Sequence, residues 1–351
     1  MNNSTTSYYV SGNTAEGLVN FLASNVADFN HVIILKHPSH TLKTALIKKI
    51  MKKYEGDNTL EVLLSPLGSE FLDGVIVRDK SIAVVIDTIA TSNLNGAIEI
   101  DLNLFSSEEI PKNEMYELAK EKAHELTEAS YANFRTGLQI HDDLEEIYIN
   151  EMNFDRANEF ADEFIDKLLT NIPKKNGKGK VFDRLFGTNT KEGVVNVVPD
   201  ILNRQPKNYF IKGRAGTGKS TFMKKISNAC RHHGLNVELY HCSFDPNSID
   251  MVLVRDLDFC IFDSTDPHEF FPMQEDDEIV DLYQALVTPG TDEKYATEID
   301  KYNNEYKSYM KKGIVNLQEA GDYVKQMEQH FVISENEMDR IVAFILEKIV
   351  H

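Results

Sequence analysis

Apolar positions along the chain follow two rhythms. Short dense runs, SIAVVID at 81–87, NYFIK at 208–212, VELYHC at 237–242 and DFCIFD at 258–263, read as buried strands. Elsewhere apolar residues recur every three or four positions. Examples are TFMKKISNAC at 221–230, the set Met115, Leu118, Ala119, Ala123 and Leu126, and the set Tyr306, Met310, Ile314, Leu317, Val324 and Met327. Ser334 and Glu337 have the spacing of a capping box, which predicts a last helix running through Ile349. A matching helix is expected near Phe154 to Leu169. Alternating strands and helices predict an α/β protein.

The pattern occurs twice. NTAEGLVN at 13–20 returns as NTKEGVVN at 189–196, an offset of 176 residues. The same offset carries Lys36, Thr41, Lys43 and Thr44 onto Lys212, Thr217, Lys219 and Ser220. FLDGVIVRD at 71–79 answers SIDMVLVRD at 248–256 after a slip of one residue. Between the copies, IPKKNGKGKV at 172–181 carries Pro173, Gly177 and Gly179, which interrupt regular structure. The expected division is a first repeat over 1–172, a linker over 173–183 and a second repeat over 184–351, each ending in an appended helical segment.

The second repeat holds the candidate chemistry. Gly213, Arg214, Ala215, Gly216, Thr217, Gly218, Lys219 and Ser220 spell G-x-x-x-x-G-K-S between an expected strand and an expected helix. Glycines at these positions let backbone amides converge on an anion, and the helix N-terminus adds its positive end. Lys219 would reach the β and γ phosphates, the Ser220 hydroxyl would ligate magnesium, and Thr221 would contact the α phosphate. Asp263 closes an apolar strand and is the expected second magnesium-side group. Ser264 follows it where many fast ATPases place a water-orienting glutamate. Candidate replacements are Asp266, His268, Glu269 and Asp245, with Asp266 the catalytic candidate among them. Arg214 and Arg255 are candidate γ-phosphate clamps, and His241 and Cys242 end a strand expected near the site.

In the first repeat the corresponding loop reads His37-Pro38-Ser39-His40-Thr41-Leu42-Lys43-Thr44. Lys43 and Thr44 persist, all three glycines are gone, and Asp87 still ends an apolar strand. Side chains in place of those glycines would crowd phosphates, so ordinary triphosphate binding is expected only in the second repeat. Altered ligand binding through Lys43, His37 and His40 is the alternative.

These residues resemble the P-loop NTPase superfamily. More narrowly, NT-x-EG-x-VN, FIKGRAGTGKSTFMKKI, ELYHCSFDPNSID and FDSTDPH are similar to a bacterial family of tandemly duplicated P-loop ATPase or nucleotide-kinase-like proteins without an assigned role. The resemblance implies two tandem P-loop NTPase-like domains, each a parallel sheet flanked by helices, with one working site. It implies binding of ATP or GTP with Mg2+ and hydrolysis at the second repeat, the first acting as scaffold or regulatory copy. The alternatives are transfer of the γ-phosphate to a small-molecule acceptor, and a non-enzymatic sensor or assembly module that binds a protein partner.

Charge and composition narrow the partners. The chain of 351 residues has a formal net charge of −19, which disfavours nucleic acid and anionic membranes as partners. The one dense basic stretch, Lys174, Lys175, Lys178, Lys180 and Arg184, reads as a solvated linker. Three cysteines, Cys230, Cys242 and Cys260, form neither a C-x-x-C pair nor a disulfide framework. The opening MNNSTTSYY has no basic start or apolar stretch, so no secretory signal and a cytoplasmic location are expected.

Overall fold

The computed structural model describes residues 5–91, 94–105, 113–332 and 334–350; residues 1–4 of the opening segment lie outside them. The first repeat contributes strands β1 (Thr5–Tyr9), β2 (Ser11–Thr14) and β3 (Gly17–Asn20), helix α1 (Leu22–Val26), β4 (His31–Lys36), α2 (His40–Tyr54), β5 (Leu60–Leu64), β6 (Leu72–Val77), β7 (Ile82–Ile86) and β8 (Ala97–Asp101). Two helices follow, α3 (Glu114–Ile149) and α4 (Phe154–Leu169). The second repeat runs in the same order through β9 (Val181–Arg184), β10 (Gly187–Thr190), β11 (Gly193–Asn196), α5 (Val198–Leu202), β12 (Lys207–Lys212), α6 (Lys219–His232), β13 (Val237–His241), β14 (Ile249–Val254), β15 (Phe259–Asp263) and β16 (Glu278–Asp281). It ends in α7 (Leu282–Leu286), α8 (Thr291–Lys294), α9 (Ala296–Glu328) and α10 (Glu335–Val350).

The duplication in the sequence is a duplication in space. One six-stranded sheet has the order β1-β5-β6-β7-β4-β8, and the other, β9-β13-β14-β15-β12-β16, matches it strand for strand. Neither sheet is parallel throughout, which corrects the expectation. β6 runs antiparallel to β5 and β7, and β14 runs antiparallel to β13 and β15. Within each repeat the short turn at Arg78–Lys80 or Arg255–Leu257 reverses the chain tightly enough for neighbouring strands to pair as a hairpin. Alternate residues of the second sheet serve different cores. Tyr209, Ile211, Val252 and Ile261 meet α4 and α6, while Phe210, Leu253, Cys260 and Phe262 join the core of the first repeat.

The repeated N-T-x-E-G-x-V-N segments form the joint between the halves. Each folds into a hairpin, β2–β3 and β10–β11, and the two hairpins pair into a four-stranded sheet. At its centre Asn13 stands opposite Asn189. The side-chain amide of Asn13 donates to the Asn189 carbonyl at 2.8 Å, and that of Asn189 donates to the Asn13 carbonyl at 2.9 Å.

The appended helices are exchanged. α4 packs through Ala161 and Phe164 onto the second repeat, and α10 packs through Ile341, Val342 and Ile345 onto the first. α3 and α9 lie antiparallel between them. Tyr116 near the start of α3 meets Phe331 just past α9, and Tyr148 near its end bonds Asp292 just before α9. At 36 residues, α3 extends about 54 Å, enough to link the two halves. The pair packs closely at glycines, where Gly313 receives the edge of buried Phe134. The basic stretch is not wholly solvated. Arg184 is 3% exposed and bridges Glu61 and Glu238, one carboxylate from each repeat. Among the described residues no helix is long and apolar enough to cross a membrane.

Candidate functional site

Parallel β12 and β15 are adjacent, with Ile211 beside Asp263, so the loop after β12 and the carboxylate ending β15 share one sheet edge. Ligands of open α/β sheets bind outside such carboxyl ends. The chain leaves β12 at Lys212 and enters α6 at Lys219. Gly216 and Gly218 have φ of 71° and 78°, the left-handed region that a side chain would strain. Gly218 is the N-cap residue of α6 and offers no side-chain cap. Among the described residues, the amides of Gly218, Lys219 and Ser220 have no hydrogen-bond acceptor, as at any helix N-terminus without a side-chain cap.

The side chains of the loop are braced within the protein. Lys219 Nζ donates to the Arg214 carbonyl at 2.7 Å and lies 3.5 Å from Asp263 Oδ2. Thr217 Oγ1 also donates to the Arg214 carbonyl. Asp263 Oδ1 accepts from Thr265 Oγ1 at 2.6 Å. The Ser220 hydroxyl accepts from the Ile249 amide at 2.9 Å, which ties α6 to β14. Arg214 is held by Asp292 at 2.9 Å and stacks over Tyr283, and Asp292 accepts from Tyr148 of α3 as well. Thr221 is exposed at the rim. Ala215 packs into the cluster of Tyr148 and Tyr306.

The last turns of α3 cover the loop, which sequence reasoning did not anticipate. A Cβ on Gly216 would lie 2.3 Å from the Glu145 carbonyl oxygen, and one on Gly218 would lie 3.2 Å from Met152 Cε. The Glu145 carboxylate faces the Gly216 amide and Lys219. Burial raises its pKa, against the opposing pull of Lys219 and that amide. Burial, reinforced by Lys219, lowers the pKa of neighbouring His141. Helical periodicity marks α3 but carries no information on which loop its end reaches.

The other candidates are distributed as follows. Asp266 is exposed and paired with Lys307 of α9 at 2.7 Å. Glu269 pairs with Lys212, and Asp245 caps its own turn through Ser248 and Asn247. His268 Nε2 lies 4.0 Å from Asp250, a buried carboxyl whose pKa is raised by desolvation. His241 bonds Asp183 and stacks on Phe21 in the joint between the repeats. Cys242 is held beside Asp250, and burial raises its thiol pKa. Arg255 follows β14, which runs against β15, so it sits at the opposite sheet edge, bound to Glu238. It cannot clamp an anion at the loop. Ser264 is bonded to Phe270 in both directions and does not present its hydroxyl to the loop. Asp250 was detectable in advance, because it recurs as Asp73 in the repeated segment. Asp73 is also buried and its pKa is pushed up to about 6 by desolvation.

The first repeat explains why Lys43 and Thr44 persist without glycines. Lys43 is 1% exposed and pairs with Asp87 at 2.6 Å, and Thr44 Oγ1 accepts from the Leu72 amide as Ser220 does from Ile249. Both residues brace the sheet. The two aspartates are not register equivalents. Leu35 stands beside Ile86 where Ile211 stands beside Asp263, so Asp87 falls one residue later. His37 accepts from the Ser39 amide, and burial together with Lys43 pushes the pKa of His40 down to about 3. Neither histidine is arranged as a ligand.

The residues at the second loop fit a polyphosphate with magnesium by donor chemistry. They comprise unpaired amides at a helix N-terminus, an ammonium, a hydroxyl and a buried carboxylate. Among the described residues no group of three or more His, Cys, Asp or Glu side chains could hold a metal unaided, so any magnesium would depend on phosphate oxygens. Comparison with protein families, with curated proteins and with solved structures finds no match to this chain.

Proposed function

We propose that the 213–220 loop binds the phosphates of a nucleoside triphosphate, with ATP the first candidate, and that the protein hydrolyses it slowly in the presence of Mg2+. The observation that carries this reading is the pair of left-handed glycines feeding a helix N-terminus with free amides, beside Lys219 and Asp263. On binding, Lys219 would exchange the Arg214 carbonyl for phosphate oxygens, gaining a bond between two charged groups in place of one to a neutral acceptor. Ser220 and Asp263 would hold the magnesium, which supplies charge neutralisation between the phosphates. Glu145 would have to leave the Gly216 amide. The first repeat, with its lysine committed to Asp87, would serve as scaffold.

Slow turnover follows from the surroundings of Asp263. Ser264 is tied to Phe270 and Asp266 to Lys307, so neither stands ready to orient water. A second reading, a nucleotide-operated switch without turnover, is favoured by the seat of α3 directly on the loop. Phosphate release from Mg-ATP without an added acceptor supports hydrolysis. Release only with a metabolite pool points to phosphotransfer, and tight binding with no release points to the switch. Absence of any nucleotide binding refutes all three.

A further inference from the structure

The loop of the first repeat is filled by the chain itself. Glu328, the last residue of α9, sets its carboxylate on the N-terminus of the 15-residue helix α2. Oε1 accepts from the His40 amide at 2.7 Å, and Oε2 accepts from Ser39 Oγ at 2.7 Å and from the Thr41 amide at 3.2 Å. Ser39 is fully buried and its hydroxyl also receives the Leu42 amide at 3.1 Å. By the offset of 176 these donors correspond to Ala215, Gly216 and Thr217, because α2 begins three positions earlier than α6, and the group they hold is an oxyanion. Lys43, one turn into α2, is paired with Asp87 instead. The carboxylate is therefore held by backbone dipoles and one hydroxyl, the forces that hold phosphate at helix N-termini.

We propose that the 37–44 loop is an oxyanion socket whose resident ligand is Glu328. The socket docks the exchanged α9–α10 arm onto the first repeat. With Glu328 removed, it accepts a small free oxyanion such as inorganic phosphate or sulfate. It does not accept a nucleotide, since Leu42 stands where the second loop has a left-handed glycine. This inference does not rest on nucleotide binding in the second repeat.

The test silences the second loop with Lys219→Ala and adds Glu328→Ala in that background. Thermal unfolding is followed in sodium phosphate and in sodium chloride of equal ionic strength. The Glu328→Ala chain should lose about 3 °C or more in chloride and recover most of it in phosphate, a gain well above the general phosphate stabilisation of its Glu328-containing parent. Adding Ser39→Ala should weaken the phosphate response by about tenfold in half-saturating concentration. Equal phosphate response in the presence and absence of Glu328 would overturn the socket. Should the alanine chain fail to fold, Glu328→Gln, which keeps the shape and drops the charge, is put to the same comparison: a phosphate response that exceeds the parent's supports the socket, and an equal one overturns it.

Discussion

Glu145 is the carboxylate that the proposed phosphate would meet at the second loop. Its carboxylate lies near the Gly216 amide, Lys219 and His141, so on the proposed reading it would compete with an arriving phosphate. Glu145→Gln removes the competing charge and keeps the side chain's size. Affinity for Mg-ATP should rise by about tenfold, or about 1.4 kcal/mol, in calorimetric titration; unchanged or weaker binding would show that the carboxylate is no competitor. Lys43 has the opposite character. It is buried and holds Asp87, so Lys43→Ala should lower unfolding stability by about 3 kcal/mol in urea while nucleotide affinity stays as it was. A stability loss within error would mean that the pair contributes nothing. Sequence pattern was enough to expect Lys219, Ser220 and Asp263 at one place, and the structure brings Lys219 within 3.5 Å of Asp263 at the end of adjacent strands. It could not find Glu145 or Glu328. Each reaches its loop on a long helix from the opposite repeat, and hydrophobic periodicity does not say where such a helix ends up.

At the level of elements, the same limit explains the sheets. The apolar runs located the strands, yet β6 and β14 are buried on both faces and look alike in either direction. Their antiparallel course is set by the tight turns after Val77 and Val254, which periodicity does not report. The α3–α9 pair depends on close approach. A Cβ on Gly313 would meet Phe134 Cε1 at 2.3 Å, and Phe134 is fully buried. Gly313→Ala should therefore destabilise by about 2 kcal/mol despite alanine's better helix propensity. Adding Phe134→Leu should recover part of that loss. A strictly additive double mutant in chemical denaturation would argue that the two helices do not meet there.

For the whole molecule, the exchange of helices and the shared joint make the halves one cooperative body. Arg184 lies over the Tyr8 ring at 3.9 Å and joins Glu61 to Glu238. Burial pushes the Glu61 carboxyl up, but Arg184 and Arg78 outweigh it and hold the pKa down to about 2. A depressed carboxyl stabilises the fold above its unfolded value of 4.5, and that contribution fades as pH falls from 4.5 toward 2. Acidification through that window should therefore lower Tm. Arg184→Met should be less stable at pH 7 and show a flatter acid limb. An acid limb identical to that of the parent would mean that Arg184 does not set the Glu61 pKa.

The most direct measurement is calorimetric titration of Mg-ATP, followed by Mg-GTP, into the parent chain, Lys219→Ala and Lys43→Ala. One nucleotide per chain is expected, lost in Lys219→Ala and retained in Lys43→Ala. Two nucleotides per chain, equal losses in the two variants, or binding untouched by Lys219→Ala would contradict the assignment of phosphate binding to the second loop.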